Sequence, residues 1–213
     1  MSPKRSDIHR ANRKAQILSA AISVFQEKGY NQTTIQDIIE ASEISRGGIY
    51  TYFRNTEDIF LAILNNRDTE DFEQQMLDTE MSCWERLSTQ FDSYYLRVLK
   101  IARSLIKPIF EYYFTAGWGQ EKNTSMLSSR FDKAYKLYTN LIEEGIRKGE
   151  FYPVLPASSI ARTIISFMDG LNLSMLLFGD QQAQPHEQVR AFKVYMHQIL
   201  IPQKNEQISY EKL

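Results

Sequence analysis

The residues best suited to chemistry lie in one short stretch, Ser45-Arg46-Gly47-Gly48-Ile49-Tyr50-Thr51-Tyr52-Phe53, within a chain of 213 residues. On a short helix with Ile49 and Phe53 turned inward, Arg46, Gly47, Gly48, Thr51 and Tyr52 face outward. That set suits a polyanion. A guanidinium can pair with phosphate, hydroxyls can reach base edges, and bare backbone allows close approach. Each glycine in a helix costs about 1 kcal/mol relative to Ala, so the pair needs a reason outside helix formation. Close contact between backbone and bases or phosphates supplies one. A frayed loop is the alternative, and the regular apolar spacing on both sides argues against it.

No other constellation points to catalysis. His9, His186 and His197 are far apart and show no metal-ligand spacing. Cys83, the one cysteine, can form neither a disulfide within the chain nor a multi-thiolate site. It stands beside Trp84 at the head of an amphipathic stretch and reads as packed rather than nucleophilic. Glu143-Glu144 and the acids from Asp68 to Glu73 read as solvated helix faces. P-loop, GxSxG and dinucleotide fingerprints do not occur. The expectation is a protein that is not an enzyme, with no catalytic residue, no metal and no cofactor.

The elements that must position the stretch are helical. Ala11, Ala15, Leu18, Ile22 and Phe25 form a stripe from Asp7 to Lys28, closed by Gly29. Thr34-x-x-Asp37 has capping-box form and opens a short helix burying Ile35, Ile38 and Ile39. Ser45 can cap a third helix. Asn55 and Asp58 suggest the start of a long polar helix that buries Ile59, Ile63 and Leu64. Packed together through Ile38, Ile44, Ile49 and Phe53, these pieces make a trihelical head with helix-turn-helix geometry, in which the second short helix enters the major groove of DNA.

The rest reads as further helices: Trp84 to Ala102, a stretch around Pro108 up to Gly117–Gly119, Met126–Lys148, Ala157–Phe178 ending at Gly179, and Pro185–Leu200. Nothing alternates with period two for long enough to be a strand, so the fold class is all-α. The expected domains are residues 1–54, the DNA-binding head, and 55–213, a larger helical bundle. Hydrophobic residues make up 43% and net charge is −1, which excludes disorder and a globally basic protein. Charge is nevertheless uneven. Residues 1–14 hold five bases and one acid, while residues 57–85 hold nine acids and only Arg67 as a base. No apolar run reaches the roughly 18 residues of a membrane span, and no signal segment opens the chain. One cysteine and these absences fit a reducing, cytoplasmic setting without membrane contact.

Residues 10–60 resemble the DNA-binding head of the TetR/AcrR family of transcriptional regulators. The pattern appears as Gly29-Tyr30, Thr33-Thr34, Ile38-Ile39, Ser45-Arg46-Gly47 and Tyr50-Thr51-Tyr52-Phe53. Glu43 stands where many members have a turn glycine, Gly48 where Thr, Ala or Asn is common, and Thr56 where Lys is common. The resemblance implies that Thr34 touches phosphate and that Ser45, Arg46, Tyr50, Tyr52 and Thr56 hold the DNA backbone. It also implies that Gly47 and Gly48 lie against bases and that Thr51 reads the groove. Lys4 and Arg5 would add non-specific attraction, and Tyr30 would pack under the head.

One such head reads few base pairs, so a symmetric pair is expected, its recognition helices about 34 Å apart on a palindromic operator. Ala157–Phe178 is apolar nearly all round, which asks for burial on every side. With the last helix it is the expected homodimer interface: Ile160, Ile164, Phe167, Leu171, Phe178, Val189, Phe192 and Met196. A central core helix within one chain is the alternative. The resemblance implies an effector pocket among the middle helices, for which Tyr94, Phe110, Tyr113, Phe114, Trp118, Phe131, Tyr135, Met168, Asn172 and Met175 are candidates. The resulting expectation is a homodimeric one-component regulator, a repressor released from double-stranded DNA by a small, mostly apolar effector. The competing expectation is a helical ligand-binding or partner-binding protein whose head does not engage DNA.

Overall fold

The computed structural model describes the backbone of residues 5–67, 80–115 and 121–201, and side chains of 8–65, 80–115 and 131–201. Among these residues the regular structure is helical throughout, as the periodicity predicts. The helices are α1 (Arg5–Lys28), α2 (Ile35–Ser42), α3 (Arg46–Tyr50), α4 (Thr56–Arg67) and α5 (Cys83–Val98). They continue with α6 (Ile106–Phe114), α7 (Glu121–Arg147), α8 (Ala157–Ala183) and α9 (Pro185–Leu200), with a 3-10 turn at Ile101–Arg103.

These helices form two compact units, one of α1 to α4 with α6 and one of α5 with α7, α8 and α9. In the first, α1 buries Ile17, Leu18, Ala21, Val24 and Phe25. The stripe predicted to begin at Ala11 and Ala15 therefore starts later, since both alanines are exposed. Gly29 ends α1 at φ +82°, a left-handed backbone that favours glycine. Against α1 pack Ile38, Ile44, Ile49 and Phe53, and then Ile59, Phe60, Ile63 and Leu64 of α4. The unit extends past residue 54. Phe60 and Tyr112 of α6 close an aromatic cluster on Phe25 and Tyr30, with Tyr30–Phe60 and Tyr30–Tyr112 centroids each 4.9 Å apart. Tyr30 thus packs under the head as expected, and burial pushes its hydroxyl up to about 12.

In the second unit, Leu87, Phe91, Tyr94 and Val98 form the inward row of α5. They join Tyr138, Leu141 and Ile142 of α7, Ile160, Ile164 and Leu171 of α8, and Val189, Phe192 and Met196 of α9. Ala102, predicted to extend the α5 row, lies beyond that helix and is exposed. Helix α8 runs five residues past Phe178, its expected last residue, broken at Gly179 (φ 72°, ψ −179°) rather than terminated. It is long and apolar enough to cross a membrane by length and composition, which the run-length argument had excluded. Ile160, Ile164, Leu171 and Met175 place part of that apolar surface in the core of this unit, while Leu173, Leu177 and Phe178 are exposed.

Glu144 departs from the solvated-face expectation. Its carboxylate takes the nearly buried Arg86 guanidinium at 2.8 Å and Lys148 at 2.7 Å. Those hydrogen bonds hold it down at about 2 against an ordinary 4.5. A depressed carboxylate contributes stability above its unfolded value and loses it as pH falls through the folded value. Glu144→Gln should therefore cost about 2 kcal/mol at pH 7, because the charged hydrogen bond to the nearly buried Arg86 becomes a neutral one. The deficit should shrink between pH 4.5 and about 2, where the native carboxylate protonates. Urea unfolding followed by circular dichroism at pH 7 and pH 3 checks both statements.

Candidate nucleic-acid interface

The site is built from three capped helix starts. Thr34 caps α2: its hydroxyl oxygen accepts from Asp37 N–H at 3.2 Å, and the Asp37 carboxylate accepts from Thr34 N–H at 2.8 Å. Lys28 donates to Asp37 at 2.6 Å and, with Thr34, holds that carboxyl at about 2. The Thr34 hydroxyl proton points to Asp37 at 2.8 Å in this structure. Glu43 then turns the chain at φ 55°, so a side chain occupies the left-handed position where relatives of the resembled family often use glycine. Ser45 caps α3, its hydroxyl accepting from Gly48 N–H at 3.3 Å. Asn55 caps α4, its side-chain oxygen accepting from Asp58 N–H at 2.8 Å.

Helix α3 has one buried residue, Ile49, and Phe53 follows one turn later, its N–H bonded to Ile49 O at 3.0 Å. With those two anchored, helical geometry sends Arg46, Gly47, Tyr50 and Thr51 outward, and all four are exposed along with Ser45 and Thr34. Gly48, Tyr52 and Thr56 are half-buried. Arg46 has no ionic partner among the described residues, so its charge is available to an external anion. The Thr51 hydroxyl donates to Gly47 O at 2.9 Å, which leaves its methyl to meet a surface.

The two glycines differ. A Cβ on Gly48 would stand 2.7 Å from Ile44 Cγ2, a side chain buried in the head, so packing explains that glycine. A Cβ on Gly47 would meet nothing within 4 Å. Nothing in the fold requires Gly47 to be glycine.

One basic residue escaped the sequence reading. Arg54, its side chain 79% exposed beside the α4 start, pairs with Asp58 through Nε at 2.8 Å and a second nitrogen at 3.2 Å. The signal was there as a basic and an acidic residue four positions apart, but such pairs are common on any helix surface. Lys4 and Trp118 lie outside the described residues.

The effector candidates fall in both units. In the second unit, the buried Tyr94 hydroxyl lies 2.7 Å from Met168 O and 3.2 Å from Asn172 Oδ1. Met175 is buried in the same unit, and Tyr138 reaches Met168 Sδ at 3.5 Å. Phe131 and Tyr135 stack together on α7 beneath Arg162, whose guanidinium is 4.6 Å from the Tyr135 ring. Phe110, Tyr113 and Phe114 sit on α6 in the first unit, Phe114 being exposed. Of the interface candidates, Ile160, Ile164, Leu171, Val189, Phe192 and Met196 are buried within the single chain, and Phe167 stacks on Phe192 at 3.8 Å. They form the core. Phe178 and Leu173 are exposed, as are Leu177, Val194 and Tyr195, which sequence reasoning did not assign to the interface. Cys83 is buried, and burial beside Glu150 and Glu144 pushes its thiol up to about 11, so it is no nucleophile at neutral pH.

A capped helix, a tight turn and a second capped helix with an exposed Arg-Gly edge define a helix-turn-helix DNA-binding head. Residues 17–63 match the tetR family of bacterial regulatory proteins, and residues 87–185 match the tetracyclin repressor-like C-terminal domain. An uncharacterized HTH-type transcriptional regulator, YfiR of Bacillus subtilis (strain 168), is 34% identical over 201 residues, covering 94% of this chain and 98% of its own. The HTH-type transcriptional regulator QacR of Staphylococcus aureus is 29% identical over 149 residues, covering 66% and 74%. A TetR transcription regulator of Haloarcula marismortui shares the fold at TM-score 0.77 and 19% identity, over 89% of this chain and 99% of that one. The FadR regulator of Bacillus subtilis, solved with stearoyl-CoA, does so at TM-score 0.66 and 18% identity, over 88% and 97%. The chain belongs to the TetR family of helix-turn-helix transcriptional regulators. Its relatives regulate transcription and are not enzymes.

Proposed function

We propose that this chain is a homodimeric, one-component repressor in the cytoplasm that binds a palindromic operator through α3 and is released by a small, mostly apolar effector. The observation that carries the reading is the anchored edge of α3. Ile49 and Phe53 hold it rigid, while Arg46, Gly47, Tyr50 and Thr51 face outward with nothing from the described chain across them. Arg46 meets phosphate or a guanine edge, Tyr50, Ser45, Tyr52, Thr34 and Thr56 hold the backbone, and Gly47 lets the helix sit deep in the groove. Gly48 follows Gly47 along that edge.

Two heads on one operator require two copies, and the exposed apolar side chains of α8 and α9 suit that contact: Leu173, Leu177, Phe178, Val194 and Tyr195. The effector lies among the aromatic and Met side chains of the second unit, oriented by the Tyr94 hydroxyl and Asn172 amide. A mostly apolar lining with few polar points favours an apolar or aromatic ligand. Effector binding favours a head separation that does not fit the operator, so operator and effector weaken each other by the same factor.

Recovery of duplexes from a random-sequence pool, followed by salt titration, tests the reading. Specific binding should fall steeply with salt, and Arg46→Ala should weaken it about tenfold while lowering the salt slope by about one per head. Absent or salt-insensitive binding overturns the reading and leaves a ligand-binding or partner-binding protein.

A further inference from the structure

We infer that Glu111 and Tyr112 of α6 are positioning residues for DNA binding, holding the approaches to α2 and α4 on either side of the recognition helix. The inference rests on the operator-binding reading above. Glu111 Oε2 accepts from two successive backbone amides, Tyr30 N–H at 2.6 Å and Asn31 N–H at 3.1 Å. Two adjacent amides on one carboxylate form an anion nest with charge-assisted hydrogen bonds. The approach is so close that a Cβ on Gly29 would stand 2.5 Å from that carboxylate. The Thr115 hydroxyl, just past the end of α6, lies 2.6 Å from Glu111 O and 3.1 Å from Asn31 Oδ1. Tyr112, the residue after Glu111, donates its hydroxyl to Glu57 Oε1 at 3.0 Å, and its ring is fully buried between Tyr30 and Phe60.

The turn between α1 and α2 is already closed by its own bonds. Thr33 donates to Gly29 O at 2.6 Å, and the Thr34–Asp37 box caps α2. The carboxylate from α6 is an added tether from outside the turn. It grips Tyr30 and Asn31, which lead into Thr34, and Tyr112 grips the residue after Thr56. Thr34 and Thr56 are the proposed phosphate contacts flanking α3. One rigid helix therefore sets how far apart, and at what angle, those two contacts meet the duplex.

The test uses the full chain and a duplex recovered by the wild-type protein from random-sequence DNA. Glu111→Ala should raise the dissociation constant about tenfold, and Glu111→Gln and Tyr112→Phe, which keep shape, about threefold. Folded content should be unchanged by circular dichroism. The decisive readout is a double-mutant cycle. Thr34→Ala should lose affinity in the wild-type background and lose little more once Glu111 is Ala or Gln; Thr56→Ala should behave likewise with Tyr112→Phe. A purely architectural role predicts losses that add, and additive losses or unchanged affinities overturn the inference. If Glu111→Ala does not fold, the Gln and Phe cycles decide alone. If the wild-type protein recovers no duplex, operator binding itself fails, a result distinct from normal binding by the variants.

Discussion

Replacing Gly47 with alanine should stabilise the protein and damage its DNA binding. Alanine is the better helix former, and a Cβ here meets nothing within 4 Å, so the gain should be about 0.5–1 kcal/mol. If the edge sits against bases, the same methyl group is driven into the groove. A misfit of about 1.4 kcal/mol or more raises the operator dissociation constant at least tenfold. Thermal unfolding and fluorescence anisotropy on one preparation measure both. Opposite signs are the point: a residue kept as glycine for folding loses on both counts, while a residue kept for contact loses on one. A stabilised Gly47→Ala protein that binds its duplex with wild-type affinity overturns the close-approach reading. Gly48→Ala cannot make this distinction, because its Cβ would press on Ile44 at 2.7 Å and disturb the head itself.

What was legible in the sequence was local. Thr34, Ser45 and Asn55 cap their helices as predicted because a cap is decided within three residues. The outward set on α3 follows at once from the inward anchors Ile49 and Phe53. Pro185 and Leu200 bound the last helix at the predicted residues. What was not legible depended on distant packing. Glu111 meets the Tyr30 amide across 81 residues of sequence, and no period or motif connects them. The α1 stripe can be phased through Ala11 and Ala15 or through Ile17 and Ala21; burial selects the second, where the larger side chains are. Helix α8 is apolar almost all round, so its pattern cannot say which side meets its own chain.

That ambiguity bears directly on dimerisation, since Ile164 and Leu177 are both apolar positions on α8 but face opposite environments. Ile164 is fully buried within the chain, whereas Leu177 is 62% exposed. Leu177→Glu should leave the fold intact, because its carboxylate points to solvent in the single chain. It should move the protein in sedimentation equilibrium towards the 24.9 kDa of one chain. Operator affinity should then fall by about 10² or more, as two linked heads lose the high effective concentration each gives the other. Tyr195→Glu, on the exposed side of α9, should act in the same way. Ile164→Glu should behave differently, because a charge placed in the core without a partner destabilises the unit by several kcal/mol and circular dichroism reports the loss. If Leu177→Glu and Tyr195→Glu leave both mass and operator affinity unchanged, the exposed face of α8 and α9 is not where two copies meet. If Ile164→Glu instead gives a folded monomer, the interface is the inner face, and α8 must open to expose it.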